Sequence, residues 1–248
     1  MTIIKSAEEI AVMRRAGKIV ATVLQRLREE IKPGVKTRQL DSVAANELKK
    51  CGAKASFKGY RGFPSYLCVS VNDEIVHGIP GERRLNEGDI VSLDFGAAFE
   101  GFHGDAAITV GVGRISPEAQ ELLMVTEAAL RAGIEAAHCG AHLGDISAAI
   151  QDFVEARGFS VVREYSGHGI GRDLHEDPLV PNVGSRGEGP MLREGMTLAL
   201  EPMVNIGDWQ TRLSENKWTV FTADGSLSAH FEHTIAINDT KPEVLTLL

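Results

Sequence analysis

Five side chains able to ligate a metal, Asp94, Asp105, His168, Glu201 and Glu232, each stand in an apolar, strand-like or glycine-rich stretch. A buried carboxylate without a partner is strongly unfavourable in a low-dielectric interior, so several together call for a compensating cation. A pair of divalent ions is the economical solution. Four carboxylates and one imidazole form an oxygen-rich set, suited to Mn(II), Fe(II), Co(II) or Zn(II) rather than to a thiolate site. Two such ions ~3.5 to 4 Å apart share bridging carboxylates, lower the pKa of a water and polarise a carbonyl. Hydrolysis is the chemistry this set predicts.

The local contexts differ in what they imply. In D-F-G-A-A-F-E-G-F-H-G-D, Asp94 and Asp105 flank a glycine-punctuated turn. A hairpin centred between Phe99 and Glu100 puts them directly opposite, with Cβ atoms ~5 Å apart, whereas a turn at Glu100-Gly101 makes them diagonal neighbours. Either arrangement permits a shared cation, and two solvent-facing aspartates in a surface hairpin are the bland alternative. Asp94 closes the run Ile90-Val91-Ser92-Leu93, which reads as a core strand. Glu201 lies in T-L-A-L-E-P-M-V, a run expected to be a buried central strand. Glu232 sits between His230 and His233, where a rim ion pair is the competing reading. His168 occupies the glycine-rich loop S-G-H-G-I-G, whose small residues let a ligand approach the backbone.

The elements that must position these groups follow from apolar spacing. Ser6 and Glu9 occupy capping-box positions ahead of Ile10, Met13, Gly17, Val20, Leu24, Leu27 and Ile31, which predicts a helix from about Ser6 to Ile31. After Pro33-Gly34, a second helix turns Leu40, Val43, Ala44 and Leu48 inward and stops near Gly52. Ser116-Pro117-Glu118 opens a long helix that Gly140 breaks, and Ile146, Ala149, Ile150 and Val154 line a fourth that ends at Gly158. A shift of 106 positions carries Gly34, Leu40, Val43, Ala44, Leu48 and Gly52 onto Gly140, Ile146, Ala149, Ile150, Val154 and Gly158. This predicts an internal repeat, about 6–112 and 116–240, packed around a pseudo-twofold axis with a cleft between the halves. Strands are expected at Tyr66–Val71, Ile90–Ala97, Ala106–Val112, Ser160–Tyr165, Thr197–Val204, Trp218–Thr222 and His230–Ile237. With no Pro/Ser-rich linker between them, residues 1–248 read as one α/β domain of two halves.

Composition narrows the class. The 248 residues are 43% hydrophobic, enough for a substantial core. Net charge is −8 and the basic residues are scattered, which argues against nucleic acid as a partner and leaves room only for a ribosome contact through a small patch. Charges interrupt the N-terminal apolar stretch before it reaches the ~18 residues that span a bilayer. Cys51, Cys68 and Cys139 are odd in number and form no C-x-x-C, so a reducing cytoplasm is expected rather than a disulfide framework.

Along essentially its whole length the chain resembles the type I methionine aminopeptidases. The motifs that carry this are V-N-D-E-I-V-H-G-I-P around His77, D-F-G with G-D-A-A, S-G-H-G-I-G-R-D-L-H-E-D-P, G-M-T-L-A-L-E-P-M-V and F-E-H-T-I. The resemblance implies the pita-bread fold: an α/β (α+β) architecture with helices outside antiparallel sheets and a central dinuclear metal cleft. It implies a monomer that removes the initiator methionine from nascent polypeptides when the second residue is small and uncharged, by attack of a metal-bound hydroxide on the methionine carbonyl. By the same resemblance, Asp94 chelates the first of two divalent ions, Asp105 and Glu232 bridge them, and His168 with Glu201 completes the second. Glu201 then handles the proton. His175 stabilises the oxyanion, and His77 binds the peptide on its leaving-group side. Tyr60, Phe63, Cys68 and Trp218 fall at the positions that line the methionine pocket. Some members carry Cys where Phe57 stands and Phe where Leu174 stands, which bears on pocket shape. His103, His138, His142, His230 and His233 receive no catalytic role.

Two other readings share these features. A proline-directed aminopeptidase or prolidase uses the same fold, and such proteins usually carry a further N-terminal domain. A non-catalytic peptide- or RNA-binding module would be recognisable by missing ligands, and none of the five is missing.

Overall fold

The structure, a computed structural model, describes residues 2–248. Helices α1 (Ala7–Glu30) and α2 (Thr37–Lys50) come first, then strands β1 (Lys54–Ala55), β2 (Cys68–Val71), β3 (Glu74–Val76), β4 (Ile90–Phe99) and β5 (Phe102–Gly111). Helices α3 (Pro117–Ala136) and α4 (Leu143–Glu155) follow, with strands β6 (Ser160–Val161), β7 (Ser166–Gly169), β8 (Glu176–Pro181), β9 (Thr197–Leu200) and β10 (Met203–Asn205). The chain ends with β11 (Thr211–Leu213), β12 (Val220–Thr222), β13 (Ser228–His230), β14 (Glu232–Ala236) and β15 (Glu243–Val244).

The four expected helices form where their caps dictate. Ser6 and Glu9 make the reciprocal capping box of α1, and Ser116 accepts from Ala119 N–H with Pro117 in the first turn of α3. At α2 and α4 the side chain three residues in does the capping: Gln39 accepts from Lys36 N–H and Asp145 from His142 N–H. Among the described residues no helix is long and apolar enough to cross a membrane.

A nine-stranded antiparallel sheet runs in the order β1-β4-β5-β14-β9-β7-β8, with β2 also on β4 and β15 also on β14. Two three-stranded sheets, β13-β10-β6 and β11-β12-β3, complete the structure. Several expected strands are shorter or divided. The run from Thr197 breaks after Leu200 because Pro202 lacks an N–H for the ladder, so β10 pairs in a different sheet. Ser160–Tyr165 forms only the two-residue β6, and His168, expected in a loop, lies within β7. The paired segments begin at Cys68 rather than Tyr66 and at Val220 rather than Trp218.

The main sheet is apolar on the face that packs against the helices. Leu93, Phe95, Ala97 and Ala106 pack with Val20, Leu24 and Leu27 of α1 and with α2, while Leu198, Leu200 and Ile235 pack with α3 and α4. Helix α1 lies unusually close to β5: a Cβ on Gly104 would stand 2.9 Å from Gly17 N, and one on Gly17 would stand 2.2 Å from Leu245 O. These glycines let the helix press directly behind Asp105.

Lys5 and Glu176 form a buried ion pair, Nζ to Oε2 2.5 Å, with side chains 2% and 4% exposed. The pair ties the segment before α1 to the start of β8. Lys5→Ala should destabilise the protein by about 3–5 kcal/mol in urea denaturation by stranding the carboxylate, and adding Glu176→Gln should recover part of that loss. A Lys5→Ala protein as stable as the parent would contradict this.

Candidate metal centre

Register brings the ligands together. Phe99 faces Phe102 across a turn at Glu100-Gly101, whose φ angles are 49° and 83°, so Asp94 faces Ala107 and Asp105 faces Gly96. The aspartates are therefore diagonal neighbours, the second of the two hairpin arrangements expected. Ala107 also faces Glu232 on β14, and Asp94 faces Cys68 on β2. One rung of the sheet thus carries Cys68, Asp94, Ala107 and Glu232, and Glu201, directly after the last paired residue of β9, extends it. On the next rung Gly96 faces Asp105, and Thr234 faces Ala199, which faces His168. Asp105 and Thr234 join that rung: Asp105 N–H donates to Thr234 Oγ1 (3.0 Å), whose hydroxyl donates to Asp105 O (2.8 Å). Because side chains alternate with period two, the four strand-borne ligands project from one face, with Gly96, Ala107 and Ala199 leaving the space between them clear.

Ligand atoms of Asp105, His168 and Glu232 all lie within 4.8 Å of one another. Asp94 Oδ1, Asp105 Oδ1 and Glu232 Oε1 are buried with no hydrogen-bond partner. Burial pushes the Asp94 carboxyl up to about 7. Asp105, Glu201 and Glu232 are raised well above the usual carboxylate range, first by burial and then by charge on their acidic neighbours. The same causes raise the Cys68 thiol, so it stays protonated opposite Asp94. His168 Nδ1–H donates to Gly169 O (2.8 Å), which leaves the Nε2 lone pair 3.7 Å from Glu201 Oε1. Burial lowers its pKa to about 4, so the imidazole is neutral, the form that ligates. Orphaned buried oxygens converging beside an oriented, neutral nitrogen fit a divalent cation.

Above this floor is a cavity of about 160 Å³. All four expected pocket residues, Tyr60, Phe63, Cys68 and Trp218, line it, as do Phe57, Leu174, His77 and His175. Its volume is well below the ~300 Å³ lower end for drug-sized ligands and suits a single side chain. Phe63 and Trp218 meet edge to face at 5.1 Å. The Tyr60 hydroxyl lies 2.8 Å from His175 Nδ1 with the two rings stacked, and His175 in turn lies 4.2 Å from His168 between ring centroids. Burial takes His77 to about 4 and is the main cause taking His175 to about 3, so both are neutral at physiological pH. His77 is held at φ 58°, a left-handed conformation unusual for a non-glycine residue.

Two residues outside the expected set touch the site, one behind Glu201 and one in the cleft wall. His230 is 1% exposed, with neither ring nitrogen hydrogen-bonded and Nε2 3.7 Å from Glu201 Oε2. Its spacing of two from Glu232 is the signal that could have placed it on this side. Arg61 lines the cleft from the turn G-Y-R-G, where nothing in its residue type points to a site. His103, His138, His142, His230 and His233 do not line it.

Cation binding should follow from the carboxyl shifts. Acids raised in the folded protein hold protons that the unfolded chain releases near pH 4, so without a cation this cluster's contribution to stability falls as pH rises from about 4 through 7. A cation that replaces those protons reverses the trend. The increase in Tm produced by excess Mn(II) should be larger at about pH 7.5 than at about pH 5.5. An increase independent of pH would contradict the assignment.

Residues 11–239 match metallopeptidase family M24. A methionine aminopeptidase of Clostridium perfringens is 53% identical over 248 residues, 100% of both chains. The crystal structure of a methionine aminopeptidase from Thermotoga maritima has a TM-score of 0.99 at 47% identity, again covering 100% of both chains. A prolidase from Pyrococcus furiosus, 22% identical with a TM-score of 0.79 and covering 100% of this chain and 66% of its own, shares the fold.

Proposed function

The chain belongs to metallopeptidase family M24, and from that premise we propose that it removes the N-terminal methionine of peptides and nascent proteins whose second residue is small and uncharged. The observation that carries this reading is the acidic, histidine-bearing floor of a cleft sized for one side chain, in a chain 53% identical to a methionine aminopeptidase over its full length. Tyr60, Phe63, Cys68 and Trp218 hold the methionine side chain through apolar packing and sulfur–aromatic contact.

Asp94 is assigned to one divalent ion, Asp105 and Glu232 to bridging positions, and His168 with Glu201 to a second ion. The unpartnered buried oxygens of Asp94, Asp105 and Glu232 support cation binding at these side chains, and the division among them follows the family resemblance. Cobalt, manganese, ferrous iron and zinc all suit such donors. Bound, the ions would lower the pKa of a water and polarise the methionine carbonyl. Glu201 collects the attacking water's proton at a carboxylate oxygen and returns it to the leaving nitrogen. With the Tyr60 hydroxyl donating to Nδ1, His175 carries its hydrogen on Nε2 and donates it to the oxyanion, as a neutral group whose strength does not change across physiological pH. His77, also neutral, hydrogen-bonds the peptide beyond the scissile bond.

The two ion-binding halves also frame the proposed domain organisation: one domain with an internal repeat. The sheet order β2-β4-β5 followed by β14-β9-β7 supports it, since each three-strand set is backed by its own helix pair. We place the protein in the cytoplasm as a monomer that meets nascent chains there, with any ribosome contact transient. Cysteine usage supports a reducing compartment.

Metal-loaded protein should cleave Met-Ala-Ser over Met-Leu-Ser by about 100-fold in kcat/KM, and a chelator should abolish both activities. Equal turnover of the two peptides, or turnover insensitive to chelation, would overturn the reading. His175→Ala should lower kcat by about 10²- to 10³-fold with a smaller change in KM, measured on Met-Ala-Ser.

A further inference from the structure

A cation with no carboxylate partner stands at the rim of the cleft. Arg61 lies in the 3₁₀ turn Tyr60–Gly62 at φ 48°, between Gly59 at 88° and Gly62 at 90°. A non-glycine residue held there is strained, and strain of this kind persists where surrounding structure fixes a side chain for use. The turn is fixed by Gly59 N–H to Phe63 O (2.8 Å) and Phe63 N–H to Tyr60 O (2.9 Å). Among the described residues Arg61 has no ion pair; its guanidinium lies 5.3 Å from the centroid of the Tyr60 ring. Tyr60 stacks on His175, whose ring centroid lies 4.2 Å from that of His168 at a tilt of 48°, so ring contacts link the guanidinium to the metal floor.

We propose that Arg61 is a specificity-determining residue that binds a carboxylate carried by the substrate two to three residues after its N-terminal methionine. The inference rests on the aminopeptidase reading above. The Arg61 guanidinium lies 5.3 Å from the Tyr60 ring centroid, which lies 5.1 Å from that of His175, so it is at most about 10 Å from His175, and an extended peptide advances about 3.5 Å per residue. With the methionine carbonyl at His175, the side chain or terminus of the third or fourth residue is within reach of the guanidinium. A planar, weakly hydrated guanidinium already positioned by an aromatic ring loses little freedom on taking a carboxylate. The carboxylate can be an aspartate or glutamate side chain or the C-terminus of a short peptide.

The test compares four peptides on metal-loaded protein: Met-Ala-Ser amide, Met-Ala-Ser free acid, Met-Ala-Asp amide and Met-Ala-Ser-Asp amide. At least one carboxylate peptide should exceed the neutral amide by about fivefold in kcat/KM, through KM, and about 0.5 M NaCl should shrink that ratio. The free acid against the two aspartate peptides separates a terminal from a side-chain source. Arg61→Gly, which tolerates the positive φ, should bring the ratio to about one, and Arg61→Lys should retain part of it. A flat ratio in the parent protein, or one that survives Arg61→Gly, overturns this inference while leaving the aminopeptidase reading intact. Failure to cleave any of the four peptides overturns both.

Discussion

Four carboxylates share one water-poor face of a sheet, and the rest of the structure accommodates that fact. Asp94, Asp105 and Glu232 each bury an oxygen that no protein group satisfies, and all four acids hold their protons far more tightly than free carboxyls do. An interior of this kind is strongly unfavourable as anions alone and becomes stable when dications are coordinated. The folding problem and the chemical problem therefore have one answer, because the charge that makes the acids tolerable is also the Lewis acid that hydrolysis needs.

The fold solves the geometry with an ordinary device. Antiparallel register sets residues from β2, β4, β5 and β14 side by side, and alternation sends their functional side chains to the cleft while Leu93, Phe95, Leu198 and Ile235 face helices. A shift of one residue in either central strand would exchange acids for apolar groups, so the packing of α1 to α4 against the far face enforces the position of the ligands. Close contact at Gly17 and Gly104 carries that constraint to within one residue of Asp105. Around the floor, histidines are kept neutral by burial, which makes them ligands and hydrogen-bond donors rather than additional charges.

Much of this is legible in the residues. The helices were readable because caps and apolar spacing are local, and the hairpin motif limited Asp94 and Asp105 to two arrangements, of which the turn Glu100-Gly101 selects the diagonal one. Strand boundaries were less legible. Thr197–Val204 reads as one apolar run, yet Pro202 sends its two halves to different sheets, a decision made by pairing rather than by hydrophobicity. The positions of His230 beside Glu201 and of Arg61 in the cleft wall were not readable, since one depends on the approach of β9 and the other on the path of a two-glycine turn. Both are consequences of long-range contact, which residue type does not encode.

The measurement closest to the central claim is anomalous diffraction from crystals grown with excess Mn(II). The account predicts two strong peaks about 3.5–4 Å apart, ligated by Asp94, Asp105, His168, Glu201 and Glu232, with Asp105 and Glu232 touching both. Side chains splayed around a water-filled gap, with no anomalous signal between them, would contradict it.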